Sequence, residues 1–172
     1  IQNGAPFDVF LAADADRPQL LEESGVAAPG SRFTYALGRL ALWSRTADDC
    51  LQALRDEEAG RVAVPNPETA PYGRAAHEYL AATGDAQAVA SRVVNTNSVS
   101  QSFFFAASQN VVVAFIAYSY SILPRAHDGR CTYEVPATMH SPIEQQAVLI
   151  SEENDAARQF LSFLRSDTAG GL

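Results

Sequence analysis

No stretch of the sequence approaches the ~18 consecutive apolar residues of a membrane span. The most apolar segment, Phe103 to Ile122, is broken by Ser108, Gln109, Asn110, Ser119 and Ser121, so it reads as a buried helix end followed by a strand and no membrane insertion is expected. The chain lacks a GxGxxG or GxxxxGK[ST] loop, which removes the usual nucleotide signatures. It lacks a GxSxG elbow, so a hydrolase of that type would have no nucleophile. Cysteine is scarce: Cys50 and Cys131 lie far apart and match no CxxC or zinc spacing, and the sequence leaves open whether they form a disulfide or stay as buried thiols. Positive charge is also short. Twelve Lys and Arg face 20 Asp and Glu, a net charge of -8, and such a field repels nucleic acid and anionic membranes alike. An anionic ligand would therefore have to be held by neutral local donors.

The histidines His77, His127 and His140 are far apart and have no carboxylate or cysteine at metal-ligand spacing, so they read as surface or helix-face residues. The acidic pairs Asp48/Asp49, Glu57/Glu58 and Glu152/Glu153 fall on polar faces or in turns, where solvation accounts for them better than acid–base chemistry. No nucleophile and base can be named, and the chain is not expected to be an enzyme.

What is present is an ordinary globular composition, 47% hydrophobic and 19% charged over 172 residues, enough for one domain or two small ones. The opening IQNGAPFDVF has neither a basic n-region nor a long apolar h-region, so it does not read as a signal peptide. Ile1 to Gly4 resembles the last turn of a helix closed by glycine, which suggests an absent beginning, and Gly170-Gly171-Leu172 follows a helical segment directly.

The pattern alternates strands and helices, which indicates an α/β architecture. Strands are expected at Phe7 to Ala12, Phe33 to Trp43 with a bend at Gly38, Val62 to Val64, Val93 to Val94, Val111 to Tyr118, Tyr133 to Val135 (an edge strand) and Ile143 to Ile150. Helices are expected at Asp14 to Glu23, Asp48 to Glu58, from Arg74 onward, from Ser100 through Phe105, and after Asn154, where Ala157, Phe160, Leu161 and Leu164 keep helical spacing.

Two helix starts stand out, Pro71-Tyr72-Gly73 and Asn97-Ser98-Val99-Ser100, each after a short strand. Pro71 has no N–H, so the amides of Tyr72, Gly73 and Arg74 are expected as donors without helical acceptors, and Gly73 as a place of close approach. Such a start, at the positive end of a helix dipole, is a ready anion site.

GAPFDVFLAAD (Gly4 to Asp14), RFTYALGRLALWS (Arg32 to Ser44), VAVPNPETAPYGRAA (Val62 to Ala76), SVSQSFFFAAS (Ser98 to Ser108), AFIAYS (Ala114 to Ser119) and SPIEQQAVLI (Ser141 to Ile150) closely resemble the periplasmic molybdate-binding proteins of ABC importers, collinearly over nearly the whole chain. The resemblance implies a type II periplasmic binding protein with two three-layer α/β/α domains joined by crossing strands, here lacking its N-terminal segment. Residues 1–43 and 140–172 would form the first domain and 44–139 the second.

It further implies a solute-binding component that holds molybdate or tungstate between the domains, in the periplasm, without a cofactor. Its partner would be a membrane permease, and a complete chain would be a monomer. The loops matching Ala70 to Gly73 and Ser98 to Ser100 would supply the backbone N–H groups of Tyr72 and Val99 to oxyanion oxygens, with Pro71, Gly73, Ser98 and Ser100 in support and no direct bond to the metal. Ala117 stands where some members carry a ligand-binding tyrosine, and the serine-rich loops expected ahead of GAPFDVF are not in the sequence. The competing reading is a truncated or diverged scaffold that acts only through protein contacts.

Overall fold

The computed structural model describes Ile1 and residues 4–170. The expected helix turn at Ile1 to Gly4 and the final Gly171-Leu172 therefore fall partly or wholly outside the described residues. The chain begins with β1 (Val9–Ala12), α1 (Asp16–Glu23), β2 (Phe33–Gly38), β3 (Leu40–Ser44), α2 (Cys50–Arg55) and β4 (Val62–Pro65). It continues through α3 (Pro71–Thr83), α4 (Ala86–Val89), β5 (Val93–Thr96), α5 (Val99–Ala107), β6 (Val113–Ala117) and α6 (Tyr118–Ser121). It ends with β7 (Cys131–Glu134), β8 (Ile143–Leu149), α7 (Asp155–Leu164) and α8 (Asp167–Gly170).

Contacts divide the chain into two compact units, Ile1–Leu37 with Glu144–Leu172, and Gly38–Ile143. In the first unit three strands lie in the order β1-β8-β2, with β1 antiparallel to β8 and Val9 opposite Leu149. Side chains alternate across a strand. Ala147 and Leu149 accordingly meet Ala157 and Leu161 of α7 on one face, while Val148 meets Leu21 of α1 and Ala27 on the other. Asn154 caps α7 by accepting from the Ala157 N–H at 3.2 Å, as the sequence predicts.

The second unit holds five strands in the order β5-β4-β6-β3-β7. β5, β4 and β6 run parallel, and β3 runs antiparallel to both β6 and β7. Here too alternation makes the layers. Leu40, Leu42, Val62, Val64, Val113 and Phe115 pack toward α2 and α3. Their neighbours Ala41, Trp43, Ala63, Ala114 and Ile116 pack toward Phe103 and Ala106 of α5. The result is the three-layer α/β/α arrangement that the resemblance implies.

Several expectations need adjustment. Phe33 to Trp43 is not one strand. It divides at Arg39 into β2 and β3, which belong to different sheets. Gly38 sits at the division because a Cβ there would lie 2.5 Å from the Tyr72 hydroxyl and 2.9 Å from Ile143. The helix expected from Arg74 begins three residues earlier, at Pro71, as proline at a first helical position allows. Strand β6 stops at Ala117, so Tyr118 starts α6 instead of ending the strand; its ring lies 4.1 Å beneath the Arg39 guanidinium.

Cys50 and Cys131 form a disulfide, with Cα atoms 5.7 Å apart, that ties the start of α2 to edge strand β7. Close by in sequence to β5, Arg92 is 7% exposed and meets no carboxylate among the described residues. It donates instead to the carbonyls of Ala53, Leu54, Gly60 (2.7 Å) and Ala88, closing the C-terminal end of α2.

Candidate functional site

Because β4, β5 and β6 are parallel, the helices that follow them, α3, α5 and α6, all start beyond the same end of the second unit's sheet. Ligands of α/β folds gather at such carboxyl ends. The loops before α3 and α5 are joined directly, since the Asn66 N–H donates to the Thr96 carbonyl at 2.8 Å. Tyr72 belongs to the core cluster against which Val99 packs, so the structure brings the two expected oxyanion contacts to one region.

The start of α5 is built by reciprocal capping. Ser98, extended at φ -157°, accepts the Gln101 N–H on its Oγ at 3.2 Å, and Gln101 Oε1 reaches back to accept the Asn97 N–H at 2.7 Å. Beneath it, the buried hydroxyls of Thr96 and Ser102 lie 2.6 Å apart, and Thr96 also donates to the Ser98 carbonyl at 3.2 Å. These bonds use the amides of Asn97 and Gln101, and the Ser102 N–H goes to the Ser98 carbonyl at 3.1 Å. The N–H groups of Val99 and Ser100 have no acceptor among the described residues. Ser100 also places its Oγ 2.7 Å from the Tyr120 hydroxyl of α6, a pair that the sequence reading missed because the two residues are 20 apart in the chain.

The start of α3 departs from expectation. Ala70 is the cap residue, at φ -126°, and contributes no side-chain bond. Its carbonyl accepts from Gly73 at 2.8 Å and from Arg74 at 3.2 Å, so these two amides are spent within the turn and are not anion donors. The physical reason is that the turn tightens, so that both Gly73 and Arg74 share the Ala70 carbonyl. Gly73 does allow a close approach, but to the protein itself. A Cβ there would lie 2.3 Å from the Pro65 carbonyl oxygen and 2.7 Å from Asn66. Pro71 supplies the first helical residue and Tyr72 the second, its side chain 5% exposed and its hydroxyl over Gly38.

The histidines stay outside this region's chemistry. His77 Nδ1 lies 2.8 Å from the Gly73 carbonyl of its own helix, His140 Nδ1 lies 2.8 Å from the Ser141 carbonyl, and His127 is exposed. Among the described residues no group of three or more His, Cys, Asp and Glu side chains could hold a metal ion. Of the acidic pairs, Asp49 caps α2 by accepting from Leu51 and Gln52, and Asp48 pairs with Arg130 at 2.6 Å. What the arrangement can do is offer neutral donors at the start of α5 to an anion.

Comparison with known proteins gives four concordant findings. The family model for bacterial extracellular solute-binding proteins matches residues 1–171. The chain is 41% identical to the molybdate-binding protein ModA of Rhodobacter capsulatus, over 98% of this chain and 68% of that protein. It is 39% identical to its counterpart of the same name from Azotobacter vinelandii, over 98% of this chain and 69% of that one. The solved structure of the Azotobacter vinelandii periplasmic molybdate-binding protein superposes with a TM-score of 0.85 at 37% identity, covering 96% of this chain and 74% of that one.

Proposed function

This chain belongs to the family of bacterial extracellular solute-binding proteins, and we propose that it is the solute-binding component of a molybdate ABC importer, working in the periplasm. It binds and hands over its solute and is not an enzyme; molybdate is cargo, not a cofactor. The backbone N–H groups of Val99 and Tyr72 contact the oxyanion, Val99 from the first residue of α5 and Tyr72 from the first turn of α3. Ser98, Ser100, Pro71 and Gly73 shape those two loops. A membrane permease receives the solute.

The observation that carries the reading of the site is the start of α5, where reciprocal capping holds Val99 and Ser100 in place and leaves their N–H groups without acceptors. Neutral donors suit this chain. A dianion held by amides at a helix start needs no lysine and is compatible with a net charge of -8. Tungstate matches molybdate in charge and geometry, so both are expected to bind. Phosphate is partly protonated at neutral pH and asks for an acceptor that a set of N–H donors does not provide.

Isothermal titration with molybdate, tungstate, sulfate and phosphate tests the proposal. Molybdate and tungstate should bind with similar affinity, both more tightly than phosphate. Tyr72→Phe should bind as the wild type does, because its contact is through the backbone. Failure to bind either group VI oxyanion, or a preference for phosphate, would overturn the reading.

A further inference from the structure

Between the outer face of α5 and the segment from α6 to the 3-10 turn Pro124–Ala126, the second unit carries a cavity of about 730 Å³. This lies within the range of small-molecule sites. Its walls are mostly apolar, formed by Phe103, Phe104 and Ala107 of α5 with Tyr120, Leu123 and Pro124 opposite, and Ser100 and Ser108 also line it. Phe104 is 61% exposed and Leu123 40%, an apolar surface left in contact with water. One wall is anchored: Tyr120 stacks on Phe103 at 5.3 Å between ring centroids, and Phe103 packs on the buried Trp43 at 5.1 Å.

The rim carries the opposite character from the chain as a whole. Arg45 and Arg125 stand there against a single acid, Asp128. Arg45 is fixed by donating to the Ala107 carbonyl at 2.6 Å and to Asp128 at 3.0 Å. Arg125 has no carboxylate or hydrogen-bond partner for its side chain among the described residues. In a protein of net charge -8, an arginine left over beside an aromatic trough is a place where an anion gains a charge-assisted contact.

We propose that this groove binds a small amphipathic anion, an aromatic or alkyl body bearing one carboxylate or sulfonate, with the body against Phe104 and Leu123 and the head at Arg125. A tetrahedral oxyanion has no apolar body and gains little from these walls; Ser100 at the start of α5 also lines the groove, so this second site adjoins the proposed oxyanion contact and differs from it in taking its head group at Arg125.

Anilinonaphthalene sulfonate is the probe, titrated by fluorescence into the oxidised full chain, with its neutral analogue phenylnaphthylamine as control. The sulfonate should bind saturably, one per chain, and the neutral analogue at least about tenfold more weakly. Arg125→Glu and Phe104→Ser should each weaken the sulfonate by about tenfold or more while leaving molybdate titration and thermal melting unchanged. Equal binding of the two dyes, binding without saturation, or insensitivity to both substitutions would overturn the proposal. So would a concentration-dependent dimer that Phe104→Ser abolishes, since the groove would then belong to a second copy of this chain.

Discussion

Val99 separates backbone from side chain more cleanly than any other residue of the proposed site. As the first residue of α5 it follows Ser98, which is already extended, so a proline fits the backbone there and removes the N–H, along with part of the valine packing against the core. Val99→Pro should therefore weaken molybdate binding by roughly 1.5–3 kcal/mol in titration, the worth of a hydrogen bond to a charged group, whereas Val99→Ala, which loses similar packing but keeps the N–H, should lower the melting temperature and leave affinity unchanged. Unaltered affinity in the proline variant would remove Val99 from the site. The first unit offers a residue-scale test of another kind. Glu22 accepts from Arg32 at 3.1 Å and from the Gly30 N–H at 2.7 Å, and the Arg32 guanidinium foremost holds its carboxyl below the usual range. A depressed carboxyl adds stability above its unfolded pKa and loses it as pH falls through the folded value. Glu22→Gln should melt below the wild type at neutral pH, with the difference shrinking as pH falls below the usual carboxylate range. At this scale the sequence was legible in part. The S-x-x-Q pattern of Ser98 and Gln101 was present but unused, so the helix was expected from Ser100 and not Val99, whereas the roles of Gly73 and Gly38 were hidden, because what crowds them comes from Pro65, Asn66, Tyr72 and Ile143.

Among the elements, long periodic ones were readable and short ones were not. α7 and the apolar strands β4 and β6 follow from their spacing. The four-residue helices α4 and α6 left no periodic trace, and the break between β2 and β3 is set by which sheet each half joins. Arg92 belongs with these. Its burial depends on carbonyls from α2, α4 and the loop at Gly60, none of which its neighbours in sequence announce. The disulfide was left open by sequence and is decided by β7, whose pairing with β3 puts Cys131 opposite Ser44 and within reach of Cys50. It closes a loop with a sequence separation of 81, for which the chain-entropy account gives about 4.5 kcal/mol of stabilisation. Reducing it, or replacing both cysteines by serine, should cost about 2–5 kcal/mol in urea unfolding, and an unchanged midpoint would show that the bridge constrains little. Such a bond also suits an oxidising compartment.

For the whole molecule, charge sets the approach of the ligand. All 12 cationic side chains are arginines and 20 acids outnumber them, so a dianion meets net repulsion at long range. Stopped-flow association of molybdate should accordingly speed up, by roughly twofold or more, as ionic strength rises from about 10 to 150 mM, the reverse of an electrostatically steered ligand. A rate that falls with salt would mean that the helix starts outweigh the global field. The bridge from Cys50 to Cys131 also has a topological meaning. It makes a covalent ring that contains β4, α3, β5, α5 and β6, and with them Tyr72 and Val99. A single protease cut anywhere inside that ring yields two peptides that stay joined, so a clipped oxidised chain still migrates as one species until a reductant releases the halves.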